Sequence, residues 1–267
     1  MENLKVFNQL YIFGQFLLRD CYVYKSRIFT YIINQGIIYP CLYAFAIGYI
    51  QPSIYFSTTN PLQGSALFIG HILIIVLVFA NTLNVGLLFD LENDRYVEYQ
   101  ITVLSPQLVI LERIIFGALF TFLISSSYFP VAKILLGSAF ITEHASWPLT
   151  YAVLFASALC CSAYTTFTTC LIKSSIKLRS FWMRVNFGLI TFGGLFIPYM
   201  VMKKFNPFLG YLALLDPLLY ITEGLRNSIL SDGQYINAWV CILVLLIFSI
   251  IFTVLAWHYF RKKVDHI

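Results

Sequence analysis

The sequence is short of charge. Asp, Glu, Lys and Arg make up 11% of its 267 residues, where ordinary globular chains carry about 25%. It also lacks the phosphate-cradling pattern GxxxxGK[ST]: Lys173–Ser174 has no glycine loop before it, so an ATP site of that kind is excluded. Six cysteines (Cys21, Cys41, Cys160, Cys161, Cys170, Cys241) show no metal-ligand spacing and read as small apolar filler. No repeat of 20–50 residues and no interdomain linker is visible, so residues 1–267 read as a single domain. The start, MENLKVFNQLYIF, has no basic stretch followed by a short apolar core and a cleavage site, so no removable signal is expected.

What is present is apolar. Hydrophobic residues reach 60%, with Phe 25 and Tyr 18. At about 20 residues per membrane helix, such a chain has no room for a large soluble domain beside its spans. The expected class is an all-α polytopic membrane protein. Six runs are long enough to cross the bilayer: about 28–50, 63–89, 113–136, 149–172, 185–202 and 236–260. The fifth is short and contains Pro198. With the N-terminus inside, thirteen of the seventeen Lys and Arg fall on the inner side. Both termini are therefore expected in the cytoplasm. The net charge of +5 follows from this bias, and no nucleic-acid surface is needed to explain it.

Three pieces outside the spans carry more information. In residues 1–27, Leu4, Phe7, Leu10, Tyr11, Gly14, Leu17, Leu18 and Cys21 recur at three-and-four spacing, while Lys5, Asn8, Gln15, Arg19 and Asp20 fall largely elsewhere. That is an amphipathic helix suited to the membrane interface. Between spans 2 and 3, Asp90, Glu92, Asp94, Glu98 and Glu112 outnumber Arg95 and Arg113, on the side normally rich in cations. Glu92 and Arg95 are one turn apart, and Ser105–Pro106 predicts a break followed by a new helix start. Such an acidic segment suits a partner surface, or is a solvated loop. Before the last span, KKFNPFLGYLALLDPLLYITEGLRNSILSDGQY is too apolar for a free loop. Asp216–Pro217 predicts a helix N-terminus, with Glu223 and Arg226 able to pair beyond it. The result is a broken, re-entrant helix pair, tolerated at membrane depth only where protein buries it or it lines a cavity.

Four stretches in order resemble the membrane (permease) subunit of type-2 ABC transporters. They are the interfacial helix with Arg19–Asp20 ahead of a span containing Pro40, ENDRYVEYQITVLSP, FGGLFIPYM, and DPLLYITEGLRNSIL. The resemblance covers nearly the whole chain. It implies a permease of an ATP-driven exporter of lipids, polysaccharides or drugs in the cytoplasmic membrane. It further implies a coupling helix docking on a separate ATPase subunit, carried here by Glu92, Arg95, Glu98, Leu104, Ser105 and Pro106. An exit region is implied around Pro198, Asn206, Pro207, Asp216, Pro217, Tyr220, Glu223 and Arg226. Pairing with a second copy or a paralogous permease is also implied. No catalytic residue, metal or cofactor is expected on this chain, with ATP and Mg²⁺ on the partner. The sequence departs from the polysaccharide exporters in CYVYKSRIFTYIINQGIIYP, which lacks their Tyr/Gly run and Trp-containing span.

Two rival readings use other residues. Asp90, Asp94 and Glu98 recur every four residues and could hold Mg²⁺ for an intramembrane prenyl- or phosphotransferase. Asn60–Pro61 and Asn206–Pro207 prompt a solute channel, although they do not occupy equivalent loops. Polar residues at depth (Asn34, Gln35, His71, Asn81, Asn84, Thr165, Thr166, Thr168, Thr169) read first as helix glue, and only second as a substrate path.

Overall fold

The computed structural model describes residues 2–50, 61–93, 96–137, 140–172, 174–231 and 234–264. Every regular element among them is helical. In chain order the α-helices are α1 (Glu2–Tyr31), α2 (Tyr39–Tyr43), α3 (Pro61–Asn93), α4 (Tyr96–Val103), α5 (Pro106–Ser126), α6 (Tyr128–Leu136) and α7 (Trp147–Leu171). They continue with α8 (Ser175–Phe181), α9 (Phe187–Phe192), α10 (Tyr199–Phe205), α11 (Pro207–Ala213), α12 (Pro217–Leu230) and α13 (Ala238–Val264).

Five stretches among the described residues are long and apolar enough to cross a membrane: Gln9–Ala46, Gly64–Leu88, Pro106–Leu136, Trp147–Leu171 and Ala238–Lys263. A sixth is obtained if the bent pair α11–α12, folded by 97° at its break, counts as one span. This is a multi-pass membrane protein with the expected broken pair before its last span. The fifth predicted run, 185–202, is not one helix. It divides into α9 and α10 around Gly193–Pro198, because Gly194 takes a left-handed φ of 77° and Pro198 cannot continue a helix.

The N-terminal segment differs too. No break separates residues 1–27 from the first span: α1 runs into π-helical turns at Ile32–Ile38 and Ala44–Ile50, with α2 between them. Pro40 supplies the reason. It has no N–H to offer Gly36 and its ring crowds that carbonyl, so the helix widens around it. The Gly36 carbonyl is instead met by Ser127 Oγ at 2.8 Å.

The bundle is organised around α7, which packs against α3, α5, α12 and α13. Polar side chains fasten its middle. Asn84 Nδ2 donates to Thr165 Oγ1 at 2.8 Å, Thr166 Oγ1 donates to Asn84 Oδ1 at 3.1 Å, and Ser162 Oγ donates to the Ile114 carbonyl at 2.9 Å. Thr165, Thr166, Thr168 and Thr169 are all buried, which is the packing role expected of them. His71 is likewise buried between the Tyr43 and Phe196 rings, with Nδ1 2.9 Å from the Leu67 carbonyl. By contrast α1 and α13 expose most of their apolar surface, as helices with lipid for solvent do.

Candidate functional site

Two regions hold the predicted site residues. The first is the break between α9 and α10 with the bent pair beyond it. Asn206 Oδ1 caps α11 by accepting from Phe208 N–H at 2.9 Å, and Asp216 Oδ1 caps α12 by accepting from Leu218 N–H at 2.9 Å. Pro207 and Pro217 occupy the first turns, where a missing N–H costs nothing. Tyr220 Oη donates back across the bend to the Leu214 carbonyl at 2.9 Å. The Asn–Pro pair is thus a helix start, and it offers no support for a channel.

Glu223 and Arg226 form the expected pair, and both are fully buried. Glu223 Oε1 accepts from Tyr199 N–H at 3.0 Å, at the start of α10. Its Oε2 accepts from Ile236 N–H at 3.3 Å, just before α13. One carboxylate therefore serves two chain segments whose backbone has left the helical ladder. Arg226 does the same for carbonyls, donating from Nε to Ala66 at 3.0 Å and from Nη2 to Leu195 at 3.1 Å. Thr222 Oγ1 donates to the Gly193 carbonyl at 2.9 Å. The pair is the internal satisfaction that irregular backbone demands at membrane depth. Its closeness is enforced by Gly70, where a Cβ would meet the Leu195 carbonyl oxygen and lie 2.5 Å from Arg226 Nη2. Pro198 directly precedes α10, at the edge of the break. The arrangement of Glu223 and Arg226 fixes the shape of the broken helices.

The second region is the opposite end of the bundle. Phe16 of α1, Val97 of α4, Leu104, Val109 and Ile110 of α5, Cys170 of α7 and Phe260 of α13 share one apolar cluster there. Leu104 is only 2% exposed. Of the residues that the resemblance assigns to coupling, it is an anchor beneath the segment and does not form its surface. Ser105 and Pro106 are half-buried. The Ser105 carbonyl accepts from Leu108 and Val109 N–H at 2.9 and 3.1 Å as α5 begins. Tyr99 is exposed, with its ring edge-on to Phe16. Arg95 and Asp94 lie outside the described residues, as do the side chains of Asp90, Glu92 and Glu98; the Mg²⁺ reading of Asp90, Asp94 and Glu98 falls there too. Among the described residues no group of three His, Cys, Asp or Glu could hold a metal ion.

Beside this segment is a charged cluster that pattern reading missed. Asp20, assigned to the polar side of the amphipathic helix, is buried on its inner face. Arg113 Nη1 lies 3.6 Å from Asp20 Oδ2, and Arg113 Nε lies 3.7 Å from Glu112 Oε2. Arg19 meets Asp20 from outside at 3.3 Å. The cluster ties α1 to the first turns of α5, immediately after the Ser105–Pro106 break. Its signal in the sequence was the spacing Phe16–Asp20–Tyr24, which places Asp20 on the same face as two rings packed inward. At the same end Lys263 Nζ donates to the Thr169 and Ile172 carbonyls at 3.2 and 2.7 Å, closing the C-terminus of α7.

Residues 33–258 match the family described as ABC-2 family transporter protein. The chain belongs to the ABC-2 transporter family. It is a membrane permease subunit of an ABC transporter, a kind of subunit that works with an ATP-binding partner. No curated protein matches the chain. In this ABC-2 permease the matched stretch begins inside the first span and ends within α13, so it takes in the whole of the first region and the α4–α5 part of the second, while Asp20 of α1 precedes it.

Proposed function

We propose that the chain is the permease of an ATP-driven exporter in the cytoplasmic membrane, with its termini in the cytoplasm. A separate ATPase docks on residues 92–106. The observation that carries this reading is the build of α4. This short helix turns Val97 and Gln100 into the bundle, with Leu104 buried just after its end, and leaves Tyr99 and Thr102 exposed. It connects, through one break, to α5. A rigid, surface-borne helix held on an apolar cluster can transmit displacement to the spans it joins, which a solvated loop cannot. The acidic residues around it favour a basic groove on the ATPase, giving register and encounter rate more than affinity.

The family's substrates of lipid, polysaccharide or drug-like chemistry all suit a chain whose spans expose large apolar faces. A second copy or a paralogous permease would cover part of those faces. In this reading ATP and Mg²⁺ act on the partner, and this chain supplies the path and the linkage. Co-expression with an ABC-type ATP-binding subunit from the same genome tests the assignment: the cognate pair should copurify, and Glu92→Lys with Glu98→Lys should weaken the complex. Undiminished copurification of that double variant would sink the coupling role of this segment.

A further inference from the structure

After α7 the chain runs through α8, a π-helical turn at Trp182–Asn186, and α9. This strip is held on one side only. Leu178, Asn186 and Ile190 are buried. A π turn adds one residue to a helix, so Leu178 and Asn186 are in effect two α turns apart and face the same way. The other side is a mixture of bare cations and bare apolar groups. Ile176, Met183 and Phe187 are 78%, 69% and 66% exposed, and Lys177, Arg179 and Arg184 are exposed beside them. Among the described residues no ion pair engages these three cations. The sequence supplies no acid to do so between Glu143 and Asp216. The strip starts next to Ile172, whose carbonyl is bound by Lys263. It therefore begins at the end of the bundle that holds α4 and the Asp20 cluster.

We propose that this face is a docking surface for anionic lipid headgroups of the inner leaflet. Ile176, Met183 and Phe187 enter the acyl boundary, while Lys177, Arg179 and Arg184 take the phosphates. The chemistry fits a membrane better than a protein. Large apolar side chains interspersed with cations that have no ion pair among the described residues, on a helix that begins a few residues after the span α7 ends, match the interfacial pattern. Clustered Lys and Arg beside a membrane surface are drawn to an anionic leaflet. The inner-leaflet part of the proposal rests on the orientation given under Proposed function, and the test separates the two.

The test uses the full chain in nanodiscs of uniform lipid composition, which read headgroup preference whatever the orientation. Ser180→Cys, with the six native cysteines replaced, carries an environment-sensitive fluorophore. Brominated phosphatidylglycerol and brominated phosphatidylcholine are compared as quenchers. Quenching by the anionic lipid should be several-fold stronger, and should fall to parity in K177Q/R179Q/R184Q and at high salt. Equal quenching in the parent, or an anionic preference that survives the triple variant, overturns the proposal. So does a label that neither lipid quenches and that the added ATPase shields, since the strip would then be a protein contact. A second measurement avoids cysteine replacement. Phosphatidylglycerol retained per chain after detergent purification should drop in K177Q/R179Q/R184Q, and unchanged retention counts against the site. Labelling of Ser180→Cys from outside intact cells would overturn the orientation alone.

Discussion

The Arg226 guanidinium donates from Nε to the Ala66 carbonyl, 160 residues earlier in the chain, at 3.0 Å. With its bond to the Leu195 carbonyl, it ties the first turns of α3 to the broken helix and to α12. Arg226 is fully buried and pairs with Glu223. A buried pair of this kind contributes less as net stability than as a constraint. Removing one member strands the other charge at a cost of about 3–5 kcal/mol.

Arg226→Met should therefore unfold the permease well below the parent's transition in detergent, as read by fluorescence-detected gel filtration after heating. Glu223→Gln with Arg226→Met should be milder than Arg226→Met alone, since no charge is left stranded. A double variant as unstable as the single would mean that the backbone contacts dominate and the charge does not.

Gly70 supports the same contact by its lack of a side chain. Gly70→Ala should lower thermal stability, because its Cβ would press on the Leu195 carbonyl oxygen and Arg226 Nη2. Overpacking of this sort costs about 1–3 kcal/mol. Gly14→Ala is the control: nothing lies within 4 Å of its added Cβ, and alanine favours a helix by about 1 kcal/mol over glycine. The two substitutions should move the transition in opposite directions. Equal shifts would contradict the close approach of α3 to the break.

At the other end, Arg113→Ala leaves Asp20 and Glu112 without the guanidinium that both face. Stability should fall by about 3–5 kcal/mol. Glu112→Gln in the same chain should recover part of the loss by removing one of the two buried carboxylates. Because the cluster joins α1 to α5 next to the segment proposed to dock the ATPase, Asp20→Asn should also reduce ATPase stimulation by substrate more than it reduces complex formation. Equal losses in both would reduce the cluster to a structural tie.

Much of the architecture was legible along the chain, and the missed parts share a cause. The spans of α3, α5, α7 and α13 and the helix start at Asp216–Pro217 follow from local properties: apolar length, proline, and an oxygen two residues before a free N–H. Pro198 marked the trouble in the fifth run, but Gly193–Gly194 ahead of it turned a kink into a full break. Asp20 was misplaced because its carboxylate suggested the wet face, while its helical spacing put it inward. Leu104 carries no mark that separates an anchor from a docking residue.

By itself, then, the sequence determined a polytopic helical permease with a broken pair before its last span. Hydrophobic length and capping are decided within a turn or two of chain. Only the tertiary structure decided where Arg226, Glu223, Asp20 and Arg113 find their partners. A buried charge takes whatever carbonyl, amide or counter-ion the packing brings within about 3–4 Å, and no local pattern fixes which distant residue that is.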